Sequence, residues 1–129
     1  ENMKNESYHT SSILKWAQDA GKGTGIISTC TITDASPAAT YAHSAYRKWQ
    51  TDWDIKNDNH PRAINATGVK DIASQLIENS PGTEFKVILG GGWNAFLPNI
   101  THDDPTMKGG RSDGRDLIQE WKRSKENIN

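Results

Sequence analysis

Three side chains close together in the chain, Asp34, Ser36 and Arg47, are of the types that hold a hard cation and an oxyanion. They stand in the stretch TDASPAATYAHSAYRKW, Thr33 to Trp49. Just before it runs GIISTCT, Gly25 to Thr31, an apolar and β-branched segment that reads as a buried strand. Asp34 and Ser36 therefore fall just past the carboxyl end of a strand, where open α/β sheets collect ligands. A carboxylate and a hydroxyl two residues apart offer two hard oxygen donors, suited to a magnesium-type cation that keeps several waters. Pro37 is expected to disfavour the helical region for Ser36 and hold the pair in an extended turn. Arg47 is the residue type best shaped to grip a phosphate through two parallel hydrogen bonds. Each has an ordinary alternative on residue chemistry alone. Asp34 could be a turn or helix-cap residue, Ser36 a turn residue, and Arg47 beside Lys48 solvated surface.

Other constellations carry less. His43 has no second histidine at metal-binding spacing, and packing or a hydrogen bond is the expected role; His9, His60 and His102 lie in polar loops. Asp52, Asp54 and Asp58 lack the glycine and terminal glutamate of a calcium loop. GKGTG, Gly21 to Gly25, precedes a strand where a phosphate loop would follow one, so a plain turn is expected. Gly90-Gly91-Gly92 could turn backbone amides toward an anion, but close packing is the preferred reading. The single cysteine, Cys30, excludes an internal disulfide and, lying in the strand-like run, is expected to be buried and inert.

The elements that must position these residues alternate. Ser11 or Ser12 can cap a helix from Ile13 to Ala20, with Ile13, Leu14 and Ala17 inward and Lys15, Gln18 and Asp19 outward. After the first strand and the Asp34–Arg47 stretch, Trp49 to Ile64 reads as an irregular polar excursion. Val69 to Glu78 has apolar residues at helical spacing, and Phe85 to Leu89 (FKVIL) is a second strand. Asn99 to Arg111 is a polar loop, and Asp113 to Lys125 an amphipathic helix with Leu117, Ile118 and Trp121 inward. Helix, strand, helix, strand, helix implies α/β architecture: part of a mainly parallel sheet flanked by helices, with right-handed crossovers.

Composition narrows the function classes. The 129 residues are only 33% hydrophobic, with mean hydropathy −0.80. Fifteen basic against sixteen acidic residues leave a net charge of −1, no footprint for nucleic acid or an acidic membrane. No run is long and apolar enough for a transmembrane helix, and no signal peptide opens the chain. The first residue is Glu1, and the expectation is a single partial α/β segment, residues 1–129, cut from a larger protein. Asn5, Asn65 and Asn99 each begin an Asn-X-Ser/Thr acceptor in a predicted loop, which leans toward an extracytoplasmic setting.

The run DASPAATYAHSAYRKW, with AGKGTGII before it and VKDIASQL, FKVILGGG and SDGRDLIQEWK after it, resembles the alkaline phosphatases, the insect enzymes above all. The resemblance extends from about Ile13 to Lys122. It implies hydrolysis of phosphate monoesters through a transiently phosphorylated serine, with two zinc ions and one magnesium. On it, Arg47 matches the phosphate-clamping arginine, and Asp34 and Ser36 match the magnesium side. Asp34 stands where animal members generally have histidine and bacterial members aspartate, which opens the possibility of a water-mediated metal contact. The serine of the family's D-S-A motif and the zinc ligands are expected outside this chain, so the segment by itself should be inactive. The resemblance further implies a homodimer, held by a lipid anchor on the extracellular face of the plasma membrane, or secreted. The alternative is a non-catalytic secreted module, descended from the enzyme, that binds anions through Arg47 and the glycine turn.

Two strands cannot enclose much core, so the isolated 129-residue chain is expected to be marginal or partly molten, with apolar faces exposed. Weak near-ultraviolet circular dichroism and a broad thermal transition are the expected outcome; a sharp cooperative transition would contradict it.

Overall fold

The computed structural model describes residues 5–61, 63, 66–100 and 108–126. Ser12 caps α1 (Ile13–Asp19) by accepting from the Lys15 amide. β1 (Gly25–Thr31) follows the turn after α1, and α2 (Ala35–Ala38) and α3 (Asp52–Lys56) precede α4 (Ile72–Glu78). β2 (Val87–Gly91) pairs with β1 in parallel, Gly25 opposite Val87 and Ile27 opposite Leu89, and α5 (Leu117–Glu126) closes the described chain. The result is an incomplete α/β fold: a two-stranded parallel sheet with helices packed against it.

The three helices and two strands read from the sequence are present, α2 and α3 are additional short helices, and several boundaries move for local reasons. β2 begins two residues later than the apolar pattern suggests, because Phe85 is drawn into the core, edge-on to Tyr41 with centroids 6.4 Å apart. The strand then continues into glycine. A side chain at Gly90 would lie 2.5 Å from Ile32 Cδ1, so only glycine lets β2 approach the end of β1. α4 starts at Ile72, where Asp71 caps it through the Ser74 amide. α5 starts at Leu117; Gly114 has φ +77°, and Asp116 caps the helix through the Gln119 amide. The stretch after Trp49 is more ordered than expected. Thr51 and Asp54 form a capping box that opens α3, and Trp49 donates its indole N–H to Asp58 Oδ2 at 2.8 Å.

The core lies on one face of the sheet, where Ile26, Ile32, Tyr41, Ile72, Leu76, Phe85, Phe96 and Leu117 meet. The opposite face is open: Ile27 is 76% and Leu89 57% exposed. Cys30 is exposed as well, contrary to the expectation of a buried thiol, because burial in β1 is concentrated at Ile26. In α1, Leu14 reaches the core as expected, but Ile13 is exposed instead of inward, and Trp16 is exposed as well. Gln18 faces inward instead of outward, donating to Thr24 Oγ1 and to the Pro81 carbonyl.

The strongest polar interaction of the interior is one that periodicity cannot show. Arg111, its side chain 0% exposed, makes two parallel 3.0 Å bonds to Asp71, donates to Asp113, and donates to Ser74 Oγ and the Ala95 carbonyl. Burial alone would lower the guanidinium pKa, but the hydrogen bonds and charges of Asp71 and Asp113 outweigh it and raise it. Removing one partner of such a pair strands the other charge. Arg111→Met in the full-length protein is expected to cost about 3–5 kcal/mol by chemical denaturation. Arg115→Met, which breaks half-exposed pairs with Glu78 and Glu120, should cost no more than about 1 kcal/mol. Equal losses in the two variants would refute the ranking.

Candidate functional site

At the carboxyl end of β1 the chain dives inward before it presents polar groups. Ile32 and Thr33 are buried, and the Ile32 amide bonds the Gly91 carbonyl of β2 at 3.0 Å. The Thr33 hydroxyl donates to Gln50 Oε1 at 2.7 Å, and Tyr41 donates its phenolic proton to the Ile32 carbonyl at 2.9 Å. Burial, reinforced by the negative charge of Asp71, raises the Tyr41 pKa far above its ordinary value and keeps that donor protonated. With both neighbours held, Asp34 emerges at the lip of the sheet.

Asp34 is both a cap and a charge partner. Its Oδ1 accepts from the Ala35 amide at 2.8 Å, opening α2, and from Arg47 Nη2 at 2.7 Å. Two of the three sequence-predicted site residues are thus in direct contact across thirteen positions of chain. Ser36, the third, is exposed and lies one residue into the same short helix. The extended turn expected from Pro37 does not form. Pro37 takes the third position of α2, within the first turn, where its missing N–H costs no helical bond, and Ser36 is helical with it.

Arg47 is 61% exposed and carried on a segment that contains little regular structure. That segment is nonetheless tied at both ends to α4. The Gln75 side chain accepts from the His43 amide at 2.8 Å and donates to the His43 carbonyl at 3.0 Å. The Ile72 and Ala73 amides, at the open N-terminal turn of α4, bond the carbonyls of Trp49 and Gln50 at 2.9 and 3.2 Å. His43 itself packs and hydrogen-bonds, as expected: its ring stacks on His9 with centroids 4.0 Å apart, and Nε2 lies 3.0 Å from the Thr10 carbonyl. Sequence reasoning missed Asp71, Gln75 and Arg111. Asp71 stands just before an apolar helical run and so carried a readable capping signal. Gln75 and Arg111 carried none.

The glycines after β2 are explained by approach distance. Gly92 has φ +86°, and a Cβ there would lie 2.7 Å from Thr31 Cβ. The calcium-loop aspartates are engaged elsewhere: Asp52 with Lys56 and Ser112, Asp54 in the capping box and Asp58 with Trp49.

As a cation site the donor set is partial. Asp34 and Ser36 supply hard oxygens, and both bonds that Asp34 accepts among the described residues fall on Oδ1. Oδ2 accepts no hydrogen bond among the described residues, and a carboxylate oxygen of this kind is a donor type that a magnesium-type ion takes. No group of three or more His, Cys, Asp or Glu side chains able to hold a metal occurs among the described residues.

The family profile described as alkaline phosphatase matches residues 2–128. The chain belongs to the alkaline phosphatase family. Among relatives, it is 46% identical over 115 residues to the membrane-bound alkaline phosphatase of Bombyx mori, a match covering 89% of this chain and 20% of that one. It is 45% identical to the tissue-nonspecific isozyme of Gallus gallus, over 85% of this chain and 21% of that one. For the human tissue-nonspecific isozyme the identity is 43%, over 86% and 21%. The chain thus spans about a fifth of the length of the curated relatives it matches.

The Asp34 carboxyl should titrate below the usual range, because the Ala35 amide and then Arg47 favour its charged form. With the folded pKa below the unfolded one, the interaction stabilises fully above the unfolded pKa and is lost as pH falls through the folded value. Carbonyl-carbon chemical shifts of metal-free protein are expected to show this depression. In Arg47→Ala it should be reduced but not abolished, since the Ala35 amide remains. An Asp34 pKa at or above the ordinary value would contradict the geometry.

Proposed function

We propose that these residues form the phosphate-clamping and magnesium-side edge of a phosphate-monoester hydrolase active site. The observation that supports this best is the Arg47–Asp34 pair at the carboxyl end of β1. One guanidinium nitrogen is held at 2.7 Å by Asp34. Arg47 has five N–H donors in a planar fork, so an arm remains for two non-bridging phosphate oxygens while Asp34 keeps its orientation. As charge redistributes over the transferring group, a cation already in place stabilises it without reorganisation. Asp34 and Ser36 are the residues we assign to magnesium, directly or through water. Bound there, the ion would supply positive charge beside the phosphate and order nearby water, and two zinc ions are assigned to ligands outside this chain.

The serine nucleophile is likewise assigned outside these 129 residues, and phosphorylated transiently during turnover. Hydrolysis is therefore a property of the protein that carries the whole site, and the segment alone is expected to be inactive. The Bombyx mori relative is named a membrane-bound enzyme. We infer the extracellular face of the plasma membrane, or secretion, for this one, with a lipid anchor outside this chain and a homodimeric assembly. Asn5 and Asn99 are exposed and open to glycan attachment; Asn65 lies outside the described residues. No helix among the described residues is long and apolar enough to cross a membrane. The competing reading is a non-catalytic module that binds anions through Arg47 and the glycine turn, and close packing of Gly90 and Gly92 accounts for those glycines without a ligand.

Two variants of the full-length enzyme separate the roles. Arg47→Ala is expected to weaken inorganic phosphate inhibition and lower kcat/KM roughly tenfold to a hundredfold, the equivalent of about 1.5–3 kcal/mol for a charge-assisted contact, with metal content unchanged. Asp34→Ala should reduce magnesium occupancy and leave zinc stoichiometry intact, with activity partly restored by added magnesium. Elemental analysis beside phosphate inhibition curves reads both. If Arg47→Ala loses magnesium while Asp34→Ala loses only phosphate affinity, the assignment is reversed.

A further inference from the structure

Arg47 is exposed and sits on a segment without regular hydrogen bonding, yet a clamp is useful only if it is already aimed. A guanidinium on a free loop would have to be ordered each time phosphate arrived, at a cost in side-chain and backbone entropy. The segment carrying it, His43 to Trp49, is anchored at its two ends to α4. At the Trp49 end the anchor is backbone to backbone, through the Ile72 and Ala73 amides. At the His43 end it is a single side chain. Gln75 is 4% exposed, and its amide group is used at both ends: Oε1 accepts from the His43 N–H, and Nε2 donates to the His43 and Lys70 carbonyls at 3.0 Å each.

Gripping both the N–H and the C=O of His43 holds the two peptide groups that flank its Cα. Arg47 follows His43 by four residues, and Ser44 turns the chain between them by bonding the Tyr46 carbonyl at 2.9 Å. A buried glutamine satisfied by main chain alone could equally be core filling. What argues for more is where its bonds land. Both grips on the distant chain fall on the residue at which the Arg47 segment leaves the core, and the segment's other end returns to the first turn of the same helix.

We propose that Gln75 is a positioning residue for Arg47, holding the guanidinium in register with the carboxyl end of β1 so that phosphate meets a preset cation. The proposal rests on the reading of Arg47 as the phosphate clamp. Its consequence is specific: Gln75 matters to catalysis only through Arg47.

A double-mutant cycle in the full-length enzyme tests this, with a chromogenic aryl phosphate as substrate and inorganic phosphate as inhibitor. Gln75→Met keeps side-chain length and removes the bonds. It is expected to lower kcat/KM on the order of tenfold, below the hundredfold that a 1 Å misplacement can cost, and to raise the phosphate inhibition constant in step. In an Arg47→Ala background the same substitution should change kcat/KM by less than about twofold, because the group it positions is gone. Gln75→Asn, which keeps the amide on a shorter arm, should fall between Gln75→Met and the parent, and it takes the place of Gln75→Met in the cycle should that variant not fold. Equal fold-losses in the two backgrounds would overturn the proposal, since they would mark a general structural effect. So would an undiminished kcat/KM in a folded Gln75 variant when Arg47→Ala is impaired. If Arg47→Ala alone costs nothing, the clamp reading itself has failed, and the positioning role falls with it.

Discussion

The buried pair of Arg111 with Asp71 is the constraint on which the rest of this structure depends. A guanidinium with no solvent contact is tolerable only when its donors are satisfied, and here two carboxylates, a hydroxyl and a carbonyl surround it. Asp71 can take part only if α4 begins where it does, because the same carboxylate also caps that helix through the Ser74 amide. Arg111 can arrive only if the chain after β2 returns closely past Leu97 and Pro98. Gly109 makes that approach possible, since any side chain there would collide with both of their carbonyls. One ion pair thus sets the start of the central helix and the path of the chain that follows β2.

From that fixed point, support passes outward to the lip of the sheet in short steps. α4 carries Leu76 and Ile72 into the core against Phe85 and Tyr41. It also presents its open first-turn amides and Gln75 to the segment that bears Arg47. β1 delivers Asp34 from the other side, with Tyr41 bracing the Ile32 carbonyl just before it. The two partners reach the lip on separate supports, and their 2.7 Å contact joins them. An exposed ion pair of this kind contributes little to stability by itself. Its value lies in orientation, which the buried part of the molecule maintains.

Much of this architecture was legible in the residues, and the parts that were not share a cause. The apolar run Gly25 to Thr31 and the helical spacing of Ile72, Ala73 and Leu76 report burial directly, so β1 and α4 could be read. Phe85 misled by being apolar for the core instead of for the ladder, which moved β2 toward its glycines. Pro37 misled because its steric bias against a preceding helical residue yields within a capped first turn. Cys30 misled because burial in β1 is concentrated at Ile26, and the pairing with β2 becomes irregular between Ile27 and Thr31. Asp34 and Arg47 could be singled out by residue type and by position after a strand, but not their contact. Arg111 and Gln75 were invisible because their roles depend on partners 40 and 32 residues away, a separation to which local patterning is blind.

The aspartate at position 34 changes the electrostatics of the lip in a way a neutral side chain would not. A carboxylate there gives Arg47 a charged partner and fixes one arm of its fork, while part of the positive potential that an incoming phosphate would feel is cancelled. A histidine, the residue that resemblance leads one to expect in animal members, would leave more of that potential free and orient the arginine less. The trade is worthwhile only where something restores the lost charge. On the proposed assignment, a divalent ion held by Asp34 and Ser36 would do so by returning positive charge to the lip. On that view the cation side and the phosphate side of this edge are not two sites that happen to adjoin. In the proposed assignment they meet at one carboxylate, that of Asp34.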